Sequence, residues 1–141
     1  MSIDDQGSAR RSLLAPAGAE PRCASCARAA ADLLKALHAG RGLSPAARAL
    51  LLQDLTDSTP GPLRIKGLLP PGTAVAHKTG TDGTRDGKTA ATNDIGIVTL
   101  PDGRHLVIAA FLKDSTAGLV PREAAIAKAA KAAWDHWTAR K

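Results

Sequence analysis

Aromatic side chains are nearly missing from this chain: its 141 residues hold no tyrosine, one phenylalanine (Phe111) and two tryptophans (Trp134 and Trp137). The large rings that usually close a core are therefore scarce, and much of the 44% hydrophobic content is alanine. No stretch approaches the roughly 20 apolar residues of a membrane span. The acidic start Met1-Ser2-Ile3-Asp4-Asp5 lacks the apolar segment of a secretory signal, so the polypeptide as written is expected in the cytoplasm. Cysteine is limited to Cys23 and Cys26. A zinc site needs four ligands, and a thioredoxin-like pair needs a strand before it and a helix behind. Neither context accompanies this Cys-x-x-Cys, and no metal is expected. The net charge of +6 is spread over single Lys and Arg residues, apart from Arg10-Arg11 and Arg140-Lys141. With no aromatic platform between them, they read as a solvated basic surface and not as a nucleic-acid footprint.

What is present divides in two. Residues 1–29 mix Arg, Ala, Pro, Gly and Ser without helical or strand periodicity, which predicts disorder and an unrelated or frame-shifted leader. Residues 30–141 carry pattern. Leu33, Leu34 and Leu37 predict one face of a short helix over 30–39, ended by Gly40. Ser44-Pro45 supplies an N-cap and a first-turn proline for a second helix to about Leu55, with Leu51, Leu52 and Leu55 as its buried stripe. Arg64 to Leu69 predicts one further turn before Pro70-Pro71-Gly72 reverses the chain. Strands are expected at 74–81, 91–100 and 105–113, with Pro101-Asp102-Gly103 as a hairpin turn. A final helix over 121–139 sets Ile126, Ala130, Ala133, Trp134 and Trp137 on one flank.

The most informative stretch is His77-Lys78-Thr79-Gly80-Thr81. On a strand, Lys78 and Gly80 point one way and Thr79 and Thr81 the other. Gly80 leaves a bare flank along which a ligand backbone or carboxylate can lie. Lys-Thr-Gly is one of three signatures of the serine β-lactamases and penicillin-binding proteins. Downstream, Thr89 to Arg104 and His105 to Asp114 resemble the next strand, hairpin and last strand of the class A serine β-lactamases, in particular their extended-spectrum branch; Leu33 to Gly72 resembles the segment leading in. The likeness runs in order over about residues 30–139.

That resemblance implies an α/β (α+β) chain with a partial β-lactamase/transpeptidase-like fold: three antiparallel strands, a C-terminal helix and preceding helices. It implies that Lys78, Thr79, Gly80 and Thr81 form the edge that receives a β-lactam carboxylate, with the Thr81 N–H as half of an oxyanion hole. Many class A enzymes reach that carboxylate with an arginine from the strand after Lys-Thr-Gly. The matching position here is Thr92, and Arg64, in the preceding turn, stands where this branch places its arginine. Asp82 to Lys88 reads as a mobile loop bordering the cleft, and His77 as a structural residue facing away from it.

The same family acylates a serine in Ser-x-x-Lys, uses a Ser-Asp-Asn loop and deacylates with a Glu-positioned water. Neither motif occurs here, and the two glutamates, Glu20 and Glu123, lack the expected surroundings. No catalytic residue is assigned, no metal or organic cofactor belongs to the chemistry, and activity in isolation is not expected. Intact relatives are exported to the periplasm. Two other readings stay open: a fragment of a cell-wall transpeptidase or carboxypeptidase, and a noncatalytic pseudogene product. In the family, another strand pairs with the one matching His105 to Lys113; without it Leu106 to Leu112 is an apolar edge open to aggregation.

Overall fold

A computed structural model describes residues 21–140. Three helices and an antiparallel sheet follow one another as α1 (Pro21–His38), α2 (Pro45–Thr56), a 3-10 turn (Ile65–Leu68), β1 (Val75–Thr81), β2 (Thr84–Arg85), β3 (Lys88–Thr99), β4 (His105–Ser115) and α3 (Leu119–Thr138). The mixed α/β class and the antiparallel sheet with a C-terminal helix follow the sequence reading.

β3 is the spine of the sheet. β1 pairs with it from Val75↔Val98 to Thr81↔Thr92, and β4 lies on its other side from Thr99↔His105 to Thr89↔Ser115. β2 continues the β1 register, Thr84↔Thr89 following Thr81↔Thr92, and the Asp82 N–H donates to the Ala91 carbonyl at 3.0 Å. Residues 82–88 are thus the end of a two-stranded ribbon, where the sequence reading placed a mobile loop. Asp86 and Gly87 both have positive φ, 50° and 74°, the pair of left-handed residues that a two-residue hairpin turn requires.

Alternation along the strands builds two cores. Val75, Val98, Leu100, Leu106 and Ile108 face α3 and the 3-10 turn, where Ile65, Leu69, Ile126, Ala130 and Trp134 meet them, with Ala133 and Trp137 at the margin. The flank expected of the last helix is therefore the one that packs. On the opposite face, Ile97 and Val107 lie under Ala31 and Leu34 of α1. Among the described residues no strand pairs with the outer edge of β4, and no helix is long and apolar enough to cross a membrane.

The first two helices differ from expectation in detail. α1 begins at Pro21, so residues 21–29 are helical where disorder was expected; the rest of that segment, residues 1–20, lies outside the described residues. Ala27, Ala29, Ala30 and Ala31 are strong helix formers, and proline suits a first turn. Its Cys26 is exposed. Leu34 and Leu37 are buried, whereas Leu33 is 67% exposed, a quarter-turn outside the Ala31–Leu34 stripe. Helix α2 starts as expected, with the Ala47 N–H donating to Ser44 Oγ and Pro45 in the first turn, yet it buries no residue fully. Leu52 touches the second core, while Leu50 and Leu51 face outward.

Arg48 of α2 ties the two helices together, donating from Nε to the Leu37 carbonyl at 2.9 Å and from Nη2 to the His38 carbonyl, which caps the α1 C-terminus. His38 also packs against His105, ring centroids 4.2 Å apart. Burial, then His105, then Arg48 hold the His38 pKa below its ordinary 6.5. Because the folded chain resists a proton that the unfolded chain accepts, stability is complete above the unfolded value and is lost as pH falls through 6.5 toward the lower folded value. Denaturant midpoints compared at about pH 7.5 and about pH 5.5 should show the loss, and His38→Gln should flatten this part of the slope.

Candidate functional site

The site is the outer edge of β1. In an antiparallel ladder, alternate residues turn both backbone groups toward the partner strand. The Thr99 N–H donates to the Ala74 carbonyl at 3.0 Å and Asp82 bonds Ala91, so the even-numbered residues of β1 face β3. By that alternation Thr79 and Thr81 turn their N–H and C=O groups away from β3, toward the open edge. Lys78 is exposed, and its Nζ donates to the Thr79 carbonyl at 2.8 Å along that edge. Lys78 and Gly80 share the α1 face of the sheet; Val75, His77, Thr79 and Thr81 share the α3 face.

Arg64 lies beneath the edge on the α3 face and is 5% exposed. Its Nε donates to Glu123 Oε1 at 3.1 Å, Nη1 to the Gly80 carbonyl at 3.1 Å and the Asn93 carbonyl at 2.8 Å, and Nη2 to Thr81 Oγ1 at 2.6 Å. One Nη2 N–H of the guanidinium is left over among the described contacts. Since the Thr81 oxygen accepts from a cation, its own proton is directed elsewhere and made a better donor. The structure therefore joins Arg64, Gly80 and Thr81 by hydrogen bonds, sets Thr79 beside them, and brings the Lys78 ammonium in from the opposite face.

The segment carrying Arg64 is pressed onto β1. A Cβ on Gly61, whose φ is +67°, would lie 2.7 Å from Thr79 Cγ2 and 3.1 Å from Arg64 Cδ, so only glycine fits there. His77 is buried as a structural residue should be, yet it occupies the same face as Thr79 and Thr81, not the face away from them.

Sequence reasoning missed three buried charged groups on the α3 side of the sheet. Asp94 is fully buried, its carboxylate accepting from His77 Nδ1 and from the Ile65 N–H at 3.1 Å. Glu123 pairs with Arg64. Arg122 donates from Nη1 to Thr92 Oγ1 at 2.9 Å, so a second guanidinium stands at the position where Thr92 replaces an arginine. An even spacing on β3 put Thr92 and Asp94 on the α3 face, which was the available signal for Asp94. Arg122 and Glu123 fall at the start of the expected last helix, where Arg122 counted with the solvated basic surface and Glu123 stood out only for lacking the expected surroundings.

With this geometry in hand, comparison with known proteins is direct. A family profile described as "Beta-lactamase enzyme family" matches residues 5–137. The extended-spectrum β-lactamase PER-1 of Pseudomonas aeruginosa is 52% identical over 105 residues, covering 74% of this chain and 34% of PER-1. The β-lactamase VEB-1 of the same organism is 42% identical over 83 residues, 59% of this chain and 28% of VEB-1. Among solved structures, a β-lactamase from Chitinophaga pinensis superposes with a TM-score of 0.77 at 47% identity, covering 78% of this chain and 41% of that one. The TLA-1 extended-spectrum β-lactamase gives the same TM-score and identity, with 40% of its chain covered. The chain thus spans about a third of the length of these two curated relatives, 34% and 28%.

Proposed function

The chain belongs to the β-lactamase enzyme family, as a C-terminal portion of its class A extended-spectrum branch, and from that premise we propose that it holds the ledge on which a β-lactam carboxylate is anchored, without the groups that acylate. The observation that carries this is the hydrogen bond from Arg64 Nη2 to Thr81 Oγ1 at 2.6 Å, made from a guanidinium already held by Glu123 and two strand carbonyls.

A β-lactam with its ring carboxylate against this ledge meets the Thr79 and Thr81 hydroxyls, the spare Arg64 N–H and the field of Lys78. Guanidinium and hydroxyl give direction, and the ammonium supplies charge. The ring carbonyl then approaches the open edge, where the Thr81 N–H stands as one oxyanion donor. In a whole enzyme, a serine would attack that carbonyl, the lactam C–N bond would break, and water would release the acyl group. This chain contributes binding, orientation and one donor; Ser-x-x-Lys and Ser-Asp-Asn are absent from its sequence. The transpeptidase reading is the weaker one, since the curated relatives named above carry β-lactamase names.

Ligand-observed NMR with benzylpenicillin and its carboxylate methyl ester tests the proposal, in dilute solution because the outer edge of β4 is unpaired among the described residues. The acid should bind at about millimolar affinity, as expected of a partial site, and the ester at least about tenfold more weakly, the loss of a charged hydrogen-bonded contact. Equal binding of acid and ester would contradict it.

A further inference from the structure

We propose that His77 and Asp94 are positioning residues for Arg64, acting as a buried clamp that holds the Ile65 end of the 58–65 segment against the sheet and so sets the guanidinium under Thr81. The proposal rests on the carboxylate-binding reading of Arg64 for its functional meaning, but its structural content stands separately.

Asp94 and His77 are 0% and 1% exposed. His77 Nδ1–H donates to the Asp94 carboxylate, at 3.0 Å from Oδ1 and 3.1 Å from Oδ2. Asp94 Oδ2 also accepts the Ile65 N–H at 3.1 Å, the backbone group immediately after Arg64. On its other side the His77 ring turns Nε2 to the Ser58 carbonyl, 3.4 Å away. Asp94, on the central strand β3, therefore joins His77 of β1 to the Ile65 amide at one end of the segment, while at the other end the Ser58 carbonyl accepts from Lys66 Nζ at 3.2 Å with the His77 ring beside it. Between these two anchors lie Gly61, jammed against Thr79, and Arg64.

The strands approach closely at the clamp: a Cβ on Gly96, the strand partner of His77, would lie 2.9 Å from His77 Cβ and 3.0 Å from the Ala76 carbonyl. A carboxylate buried this deeply also needs its hydrogen bonds filled, and His77 together with the Ile65 amide fills them. The order of effects follows. Without the His77 donor, Asp94 loses one of its two partners, its hold on the Ile65 amide weakens, and Arg64, the residue before it, gains freedom to swing out from under Thr81.

The test reads Arg64 directly by phenylglyoxal labelling of the chain, followed by peptide mass spectrometry, with exposed Arg85 and partly buried Arg48 as internal references. In the parent, Arg64 should label far more slowly than Arg85. His77→Leu keeps bulk and removes the donor, and should raise Arg64 labelling by about tenfold, the scale of one charged hydrogen bond lost, while Arg48, on the far side of the sheet, is unchanged. His77→Asn retains a donor in the Nδ1 position and should keep Arg64 labelling near the parent rate, a rescue that loss of packing alone would not produce. Unchanged Arg64 labelling in His77→Leu would overturn the proposal, as would Arg64 and Arg48 rising together in both variants, or a parent Arg64 that labels as fast as Arg85. None of these outcomes depends on β-lactam binding, so failure of the clamp and failure of the ligand reading are told apart.

Discussion

Incubated with a penicillin, the chain should keep its intact mass, and the antibiotic should disappear no faster than with an unrelated control protein. The proposed ledge would bind and orient, but acyl transfer needs a nucleophile, and loss of the serine from a serine hydrolase lowers turnover by about a million-fold. A second oxyanion donor is missing as well, since Thr81 supplies one N–H and the nucleophile's own N–H is the usual other; such a donor is typically worth on the order of a hundred-fold or more. The two losses act on one step, so no partial activity is left for the pocket to supply. A covalent adduct on Ser44, Ser58 or Ser115 would contradict this, because none of them has a lysine three residues on.

The second large effect is on stability. Arg64→Ala should cost about 3–5 kcal/mol, the range for removing one partner of a buried ion pair. That is a large share of the roughly 5–15 kcal/mol that holds a typical domain together. The reason is what remains. The Glu123 side chain, 11% exposed, is left without its guanidinium partner, and the Gly80 and Asn93 carbonyls each lose a donor. Lysine cannot substitute, since a single ammonium cannot reach four acceptors spread over a strand pair and a helix. Denaturant melts followed by tryptophan emission would measure it, with Arg85→Ala, on the exposed ribbon, expected within about 0.5 kcal/mol of the parent. The double replacement of Arg64 and Glu123 by methionine should recover part of the loss, because no uncompensated charge is then buried. An Arg64→Ala chain as stable as Arg85→Ala would show that the pair contributes nothing.

How much of this was legible in the chain depends on the range of the physics. Strand β1, the Pro101-Asp102-Gly103 turn, the Ser44-Pro45 start of α2 and the packing flank of α3 are local matters of alternation, turn chemistry and helical period, and they read correctly. The early start of α1 was hidden because residues 21–29 look like a loop by composition although their alanines favour helix. The extra ribbon of β2 was hidden because two residues carry no periodicity; the Asp86-Gly87 dipeptide was its one signal, and glycine there was read as mobility. Leu51 and Leu55 were expected to be buried, since an apolar stripe says that a helix has a covered face and not what covers it. At the site, the Lys-Thr-Gly edge and Arg64 were found through motif and resemblance. The network under them was not, because Asp94, Arg122 and Glu123 come from a strand and a helix remote in sequence from Arg64, and only tertiary packing brings four buried charged side chains together.

The central claim, that the outer edge of β1 is preorganised for an anionic β-lactam, is tested most directly by a two-dimensional amide NMR titration of the dilute chain with benzylpenicillin. The Thr79 and Thr81 N–H signals, which face the open edge, should shift progressively with added ligand. The Lys78 and Gly80 N–H signals, committed to β3, should shift much less, and the methyl ester should leave all of them in place. Thr79 and Thr81 amides that stay still at saturating penicillin, or that move no more than Lys78 and Gly80, would contradict the account.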